Sequence, residues 1–416
     1  MNVAMVGDVM LGRMVNELLK ERVPDYPWGD ALPLLLGADL RVCNLECVVS
    51  DDGEPWEPST KPFHFRSDAR NVDVLLAAKI DAVSLANNHV LDFGYDALLD
   101  MLKILDRAGI AHAGAGSNLK EAQKAIGLDA GGVGVGIIAF TDNEPEWAAR
   151  SEKPGTFYTP LDLGDARARN LLALVRQTRK DVDLLILSAH WGSNWGHVPP
   201  QQHIAFAHAL VGAGADVVFG HSSHVFRGIE LYLSRPIIYG AGDFVDDYAV
   251  DPIERNDESF VFMLKTKDAT MGGLRMFPSR IELCQAGLGS LAMRRATGEK
   301  MRSLCADLGT TASWGKGHSY LEVRIPKFKG KRPATSPWSK LGAVVSPADV
   351  RRRRRRKLIE DLARDLDPAS REAVIEIYDN WTGEESEREL SRLLGKRAAK
   401  RFLDAATSGR DDESSS

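Results

Sequence analysis

Five short apolar runs in this sequence each lead directly into groups that can bind a cation or move a proton. Val3–Val6 leads into Gly7-Asp8, and Leu40–Leu45 passes through Asn44 into Glu46. Ala82–Leu85 leads to Asn87-Asn88-His89, with Asp92 shortly after. Leu184–Ala189 leads to His190, and Val217–Gly220 to His221-Ser222-Ser223-His224. Together these supply Asp8, Glu46, Asn88, His190, His221 and His224. A set of oxygen and imidazole donors without thiolate suits manganese, iron, zinc or calcium, not a structural cysteine-type zinc site. It is enough for one divalent ion. With Glu46 bridging, it could hold two ions about 3.5–4 Å apart, the spacing of two-metal hydrolases. Each residue alone has a plainer reading. Asp8 fits a helix cap, Glu46 an arginine partner, Asn88 a turn and His190 a satisfied core histidine; it is their order and shared setting that point to a metal centre.

That setting requires the runs to be strands whose carboxyl ends meet at one rim, where ligands bind in α/β sheets. The runs are short, rich in Val, Ile and Leu and bounded by turn residues, as strands buried on both faces are. Gly134–Phe140 reads the same way. Helical spacing appears at Asp96–Ala108, Leu161–Thr178 and Gln201–Val211. Alternation of the two patterns predicts an α/β layered fold. After about Arg235 strands follow one another at Pro236–Tyr239, Ser259–Lys265 and Leu274–Leu283. A helix at Leu291–Leu308 and a strand at Tyr320–Ile325 follow. This half reads as a continuation of the same layers.

The chain has 416 residues, ample to bury a core without disulfides. Cys43, Cys47, Cys284 and Cys305 form no C-x-x-C pair, which excludes a zinc ribbon or thioredoxin-type motif and predicts reduced thiols. With 53 basic and 58 acidic residues the net charge is −5, which does not favour nucleic acid as a partner. No membrane-length apolar stretch and no leader-like start are apparent, so a cytoplasmic protein without a membrane segment is expected.

Residues 326–347 read as a linker, punctuated by Pro326, Pro333, Pro337 and Pro347. A charged helical extension over 348–405 opens with Arg351–Arg356, then shows helical spacing at Leu358–Leu366, Arg371–Tyr378 and Glu384–Leu403, with Asp367 or Ser370 as a cap for the second. The arginine run reads as a solvated helix end or an anion-binding patch, and Glu360, Asp361 and Asp365 favour the former. Residues 406–416 are expected to be disordered.

Around the candidate centre, Arg13 is a forked donor suited to a substrate carboxylate or phosphate, or to a surface ion pair. Trp191, Asn194 and Trp195 follow His190 in a glycine-rich loop, as stacking surfaces or as packing. Asp243, Asp246 and Asp247 could orient a ligand histidine. His64, His112, His197, His203, His208 and His318 have no motif around them; His203 and His208 read as structural. Gly131–Gly136 precedes a strand instead of following one, so it is not a nucleotide fingerprint, and no G-x-S-x-G elbow is present.

The ordered motifs Gly7-Asp8-Val9-Met10-Leu11-Gly12-Arg13, Asn44-Leu45-Glu46, Asn87-Asn88-His89-Val90-Leu91-Asp92, His190-Trp191-Gly192, Gly220-His221-Ser222-Ser223-His224 and Gly240-Ala241-Gly242-Asp243-Phe244 resemble the CapA family of poly-γ-glutamate capsule biosynthesis. That family is similar in turn to calcineurin-like metallophosphoesterases. The resemblance covers about residues 2–325. It implies a four-layer α/β/β/α sandwich, here with the helical extension added. It also implies Asp8 on a first metal, Glu46 bridging, Asn88 and His190 on a second, and His221 and His224 as the remaining imidazoles. His89 would be the general acid or base, with Asp92 orienting it. Four departures stand out. Met10 occupies a ligand-histidine position, and Glu46 replaces an aspartate. Val90 directly follows His89 where an acid is usual. The last two histidines are separated by two residues, not one.

The function implied is a metal-dependent hydrolase of a peptide-like, polyglutamate-type or phosphoester substrate, using one or two divalent ions and His89. A peptide epimerase on the same scaffold is one alternative. A non-enzymatic accessory protein of polyanionic polymer synthesis is another.

Overall fold

The computed structural model describes residues 1–57, 61–267, 269–326, 359, 362–364, 366–379, 384–394 and 399–400. The chain divides into two compact units, Met1–Asp106 with Ile110–Pro347, and Arg107–Gly109 with Ala348–Ser416. The Arg351–Arg356 run, the expected 406–416 tail and all of the expected linker except Pro326 lie outside the described residues.

In the first unit, strands β1 (Asn2–Val9), β2 (Leu40–Leu45), β3 (Ala82–Ser84) and β4 (Ala111–Ala113) are parallel neighbours. Next come β5 (Ile126–Ala130), β6 (Val133–Thr141), β7 (Leu184–His190), β8 (Val217–His221), β9 (Ile229–Tyr232) and β10 (Arg235–Ile238). These six make a second sheet in the order β9-β10-β8-β7-β6-β5. The chain then returns to the first sheet with β11 (Asp243–Val245), β12 (Glu258–Lys267), β13 (Thr270–Glu282), β14 (Gln285–Gly287), β15 (Ser313–Trp314) and β16 (Leu321–Arg324). The first sheet's order is β15-β16-β13-β12-β1-β2-β3-β4, with β11 also on β1 and β14 on β13.

Alternation along the strands builds the layers. Val3, Met5 and Val42 of the first sheet share one buried cluster with Ile137, Ile186 and Phe219 of the second. Leu185, Leu187 and Val218 face the other way, into a cluster with Leu171, Val175, Phe206 and Leu210. Those last four belong to the helices Ala166–Thr178 and Gln201–Ala213. The fold is therefore mixed α/β with two large sheets.

Several expected boundaries move for local reasons. The helix expected from Leu161 begins at Ala166, because the Asp165 side chain caps it by accepting from Arg167 N at 2.7 Å. The strand expected from Leu274 starts at Thr270, where β13 turns back on β12. Asp8 is not a helix cap: it lies within β1, and Gly12 takes the cap position of the helix Arg13–Leu18. The four cysteines are free and buried. No helix among the described residues is long and apolar enough to cross a membrane.

In the second unit, helices Pro368–Asp379 and Glu384–Leu394 are present. Ile359, Ala363, Val374 and Leu390 form a small core. Asp367 caps the first helix, its Oδ1 accepting from Ser370 N at 3.1 Å.

Candidate metal centre and its cleft

Register brings the polar strand ends together. In the first sheet Asp8 lies level with Asn44 of β2 and with Asp243 of β11. In the second, His190 of β7 lies level with His221 of β8. The partner of β1 changes from β12 to β11 near Gly7. A Cβ at Gly7 would come within 1.9 Å of Gly242 O, so only glycine permits the approach that sets Asp243 beside Asp8.

The carboxylates are held by amides. Asn44 Nδ2 donates to Asp8 Oδ1 at 2.8 Å and also to Glu46 Oε2. Asn87 Nδ2 donates to Asn44 Oδ1 at 3.0 Å, which fixes which way the Asn44 amide faces. Ser222 N donates to Asp8 Oδ2 at 3.3 Å, and Ser222 adopts a left-handed φ of 93° to do so.

The imidazoles hold one another. His190 Nε2 lies 2.8 Å from Asn88 Oδ1 and its Nδ1 lies 2.9 Å from His221 Nδ1, while His221 Nε2 meets Ser188 Oγ at 2.8 Å. All these contacts are satisfied if His190 carries its proton on Nε2 and His221 on Nδ1. His190 Nδ1 is 3.6 Å from Glu46 Oε2, and His221 Nδ1 is 3.7 Å from Asp8 Oδ1. Ligand atoms of Asp8, His190 and His221 all lie within 4.8 Å of one another.

Burial pushes these groups toward neutrality. It raises the Asp8 carboxyl to about 7 and Glu46 well above its ordinary range. It lowers His221 to about 3 and holds His190 well below its usual value, with neighbouring His221 adding to the effect. Buried carboxyls beside neutral imidazoles hold no positive charge among them, and a divalent cation would supply it. The donor set therefore fits a metal.

His89 stands on the cleft side of this cluster. Its Nδ1 is 2.6 Å from Asp92 Oδ2, and its Nε2 is 3.8 Å from Glu46 Oε1. Asp92 also accepts from Phe65 N at 2.7 Å and from Lys61 Nζ at 2.6 Å. Nδ1 therefore carries the proton, and Nε2, 3.4 Å from Asn88 Nδ2, lies on the cleft side. Burial lowers the His89 pKa to about 4; Asp92 opposes that shift and Lys61 reinforces it. The Phe65 ring stacks on His89 with centroids 4.1 Å apart. The cleft has a volume of about 460 Å³, and Arg13, Lys61, Phe63, Trp195 and Tyr248 are among its walls.

All the sequence-derived candidates thus fall in one region, at different depths. Asp8, Glu46, Asn88, His190 and His221 form the floor. His224 stands beside them, its Nδ1 3.1 Å from Asp243 Oδ1. Arg13 is at the rim, 42% exposed, with Nε 3.4 Å from Asp247 Oδ2. Trp191 packs instead of stacking in the cleft: it is fully buried, and its Nε1 donates to Tyr239 O. Asn194 and Trp195 line the cleft. His203 and His208 lie elsewhere, against Trp191 and Glu230. Sequence reasoning gives no separate role to Asn44, Lys61, Phe65, Glu144 or Tyr248. Asn44 has a signal, since it shares a strand face with Glu46 two residues on. Lys61 has none, because it comes from an irregular segment without periodicity.

The chain belongs to the metallophosphoesterase superfamily. Within it, the chain is a member of the family described as bacterial capsule synthesis protein PGA_cap, whose profile matches residues 2–248. It is 37% identical over 280 residues to the probable polyglutamine synthesis accessory protein of Mycobacterium tuberculosis (strain ATCC 25618 / H37Rv), covering 58% of this chain and 73% of that protein. It is 27% identical over 328 residues to the capsule biosynthesis protein CapA of Bacillus anthracis, covering 78% of each. Among solved structures, a hypothetical protein from Thermus thermophilus is similar at 15% identity with a TM-score of 0.41, over 68% of this chain and 100% of that one.

Proposed function

We propose that this protein is a metal-dependent hydrolase of a polyanionic, peptide-like chain, working in poly-γ-glutamate synthesis as its relatives' names suggest. The observation that carries the reading is the convergence of Asp8, Glu46, His190 and His221 on the floor of an open cleft beside the His89–Asp92 pair. Asp8, Glu46, Asn88, His190, His221 and His224 would hold one or two divalent ions. A bound divalent ion supplies Lewis-acid polarisation and a water acidic enough to attack at neutral pH.

The chain's own residues do the rest. His89 Nε2 holds or delivers the proton that the leaving group needs, and Asp92 keeps the ring in the required tautomer. Lys61 anchors Asp92, and Phe65 fixes the ring plane. Arg13 at the rim would bind a substrate carboxylate or phosphate in a forked contact. We also read the first unit as the four-layer sandwich of the superfamily, residues 1–325 as the catalytic domain, 326–347 as linker and 348–405 as an appended helical extension.

The test is metal content of the full-length protein by plasma mass spectrometry, followed by assay of the loaded enzyme on poly-γ-glutamate and phosphoester substrates. Bound metal in wild type, lost in Asn88→Ala and His221→Ala together with cleavage, supports the reading. Absence of bound metal after reconstitution with manganese, iron and zinc would sink it. Deuterium uptake in heavy water without a change of chain length would replace hydrolysis with epimerisation.

A further inference from the structure

The loop after β7, residues 191–200, contains no helix or strand, and Gly192 and Gly196 within it sit at φ of 80° and 92°. Its carbonyls nonetheless face one partner, the segment 222–227 that follows β8. Gly192 O accepts from Ser222 Oγ at 3.3 Å, and Asn194 O accepts from His224 N at 2.8 Å. The carbonyls between and beyond go to one side chain. Arg227 Nε donates to Gly196 O at 2.9 Å, and Arg227 Nη2 donates to Ser193 O at 3.2 Å and to Trp195 O at 3.3 Å. Arg227 is 1% exposed, and its Nη1 is buried without a hydrogen-bond partner. Burial lowers its guanidinium to about 10, so it stays charged at neutral pH. Among the described residues its side-chain hydrogen bonds all go to carbonyls of this loop. A buried cation without an acid beside it is costly. Nε and Nη2 lie on one edge of a planar fork, a donor arrangement that a lysine ammonium does not reproduce.

What this strap holds is Trp195, which is 45% exposed, lines the cleft and stands edge-on to His224 with ring centroids 5.6 Å apart. We propose that Trp195 is a stacking wall for substrate and that Arg227 is the residue that positions it. The inference rests on the substrate reading above and deepens it. An aromatic ring on a glycine-containing loop contributes most to binding when the loop is ordered before the ligand arrives. A tryptophan face suits the amide planes and methylene stretches of a peptide-like chain, while Arg13 at the rim suits the carboxylates that the same chain carries. Arg227 does not line the cleft, so it acts on substrate only through the loop.

The experiment measures binding of fluorescently labelled poly-γ-glutamate to the full-length protein by anisotropy. Metal content and hydrogen exchange over residues 192–197 are recorded on the same samples. Trp195→Ala is expected to weaken binding about 10-fold, the scale of one anchoring aromatic. Arg227→Met should weaken it by a similar factor and raise exchange in the loop. The double variant should bind no more weakly than Trp195→Ala, because two residues acting through one ring are not additive. Arg227→Lys keeps the charge without the fork and should fall between Arg227→Met and wild type. Circular dichroism and melting curves set conditions in which each variant is folded; if Arg227→Met does not fold, Arg227→Lys takes its place in the cycle. Additive losses, unchanged exchange in the Arg227 variants, or wild-type affinity in Trp195→Ala would overturn the inference and leave the hydrolase reading standing. A loss of binding that follows a loss of metal would overturn it too, since His224 would then be the route. No binding of the polymer in wild type would overturn the substrate reading and this inference together.

Discussion

The two sheets bring opposite chemistry to one cleft floor. The first supplies acids, Asp8, Glu46 and Asp243; Asn44, itself held by Asn87, donates to Asp8 and Glu46, and the Ser222 amide donates to Asp8. The second supplies bases, His190 and His221, held by each other and by Ser188. The acid side gathers carboxyls that burial pushes toward neutrality, and the base side holds imidazoles that burial keeps neutral. Neither sheet is electrostatically complete alone. A cation between them would reconcile two surfaces of this kind.

The severest challenge to this contrast is to remove one side. His190→Ala or Asp8→Asn should abolish high-affinity metal binding at the floor, read by calorimetry, and reduce hydrolysis to background. Chelation of the wild type should lower its melting temperature, because a ligand present at 100 times its Kd contributes about 2.7 kcal/mol to stability. Equal melting curves with and without chelator would mean that the seam holds no ion.

Next in size is the proton-transfer pair. His89→Ala should cost about 10²–10⁴ in kcat while metal content stays near wild type. Lys61→Met should have a smaller effect in the same direction, with KM little changed, since Lys61 acts through Asp92 and not on substrate. A larger change in KM than in kcat would place Lys61 on the substrate instead.

Histidines inside and outside the seam should also behave differently. His203 is buried against Trp191, and burial lowers its pKa to about 4 from an ordinary value near 6.5. The unfolded chain therefore binds more protons between these values, so stability is full above pH 6.5 and falls as pH drops toward 4. His203→Phe should flatten that part of the stability profile in metal-loaded and metal-free protein alike, as read by urea denaturation across pH. If the flattening appears only without metal, His203 is coupled to the centre. The smallest expected effect is at the rim. Arg13→Gln should raise KM for a polyanionic substrate severalfold with kcat nearly unchanged, because Arg13 is 42% exposed and already shares its charge with Asp247.

How far the sequence could be read follows from the same physics. The apolar runs of β1, β2, β7 and β8 were legible because strands buried on both faces are continuous in Val, Ile and Leu. Strands β4, β5, β9 and β11 were not, being short, glycine-containing or polar. The floor residues were legible because each stands at or shortly after the end of a recognisable apolar run. Lys61, Phe65 and Tyr248 were illegible because they reach the cleft from loops, where spacing in sequence carries no direction. Trp191 illustrates the limit: the same loop offered Trp191 and Trp195, and only packing put one in the core and the other at the cleft.

Ligand chemistry and the order of the strand ends were already present in the amino-acid string, because side-chain type and the edges of apolar runs are local properties. Which strand ends stand level with one another is a property of the assembled sheets. The proximity of Asp243 to Asp8 depends on a glycine-sized gap at Gly7. Register and burial are sums over contacts between segments hundreds of residues apart, and no local pattern encodes them.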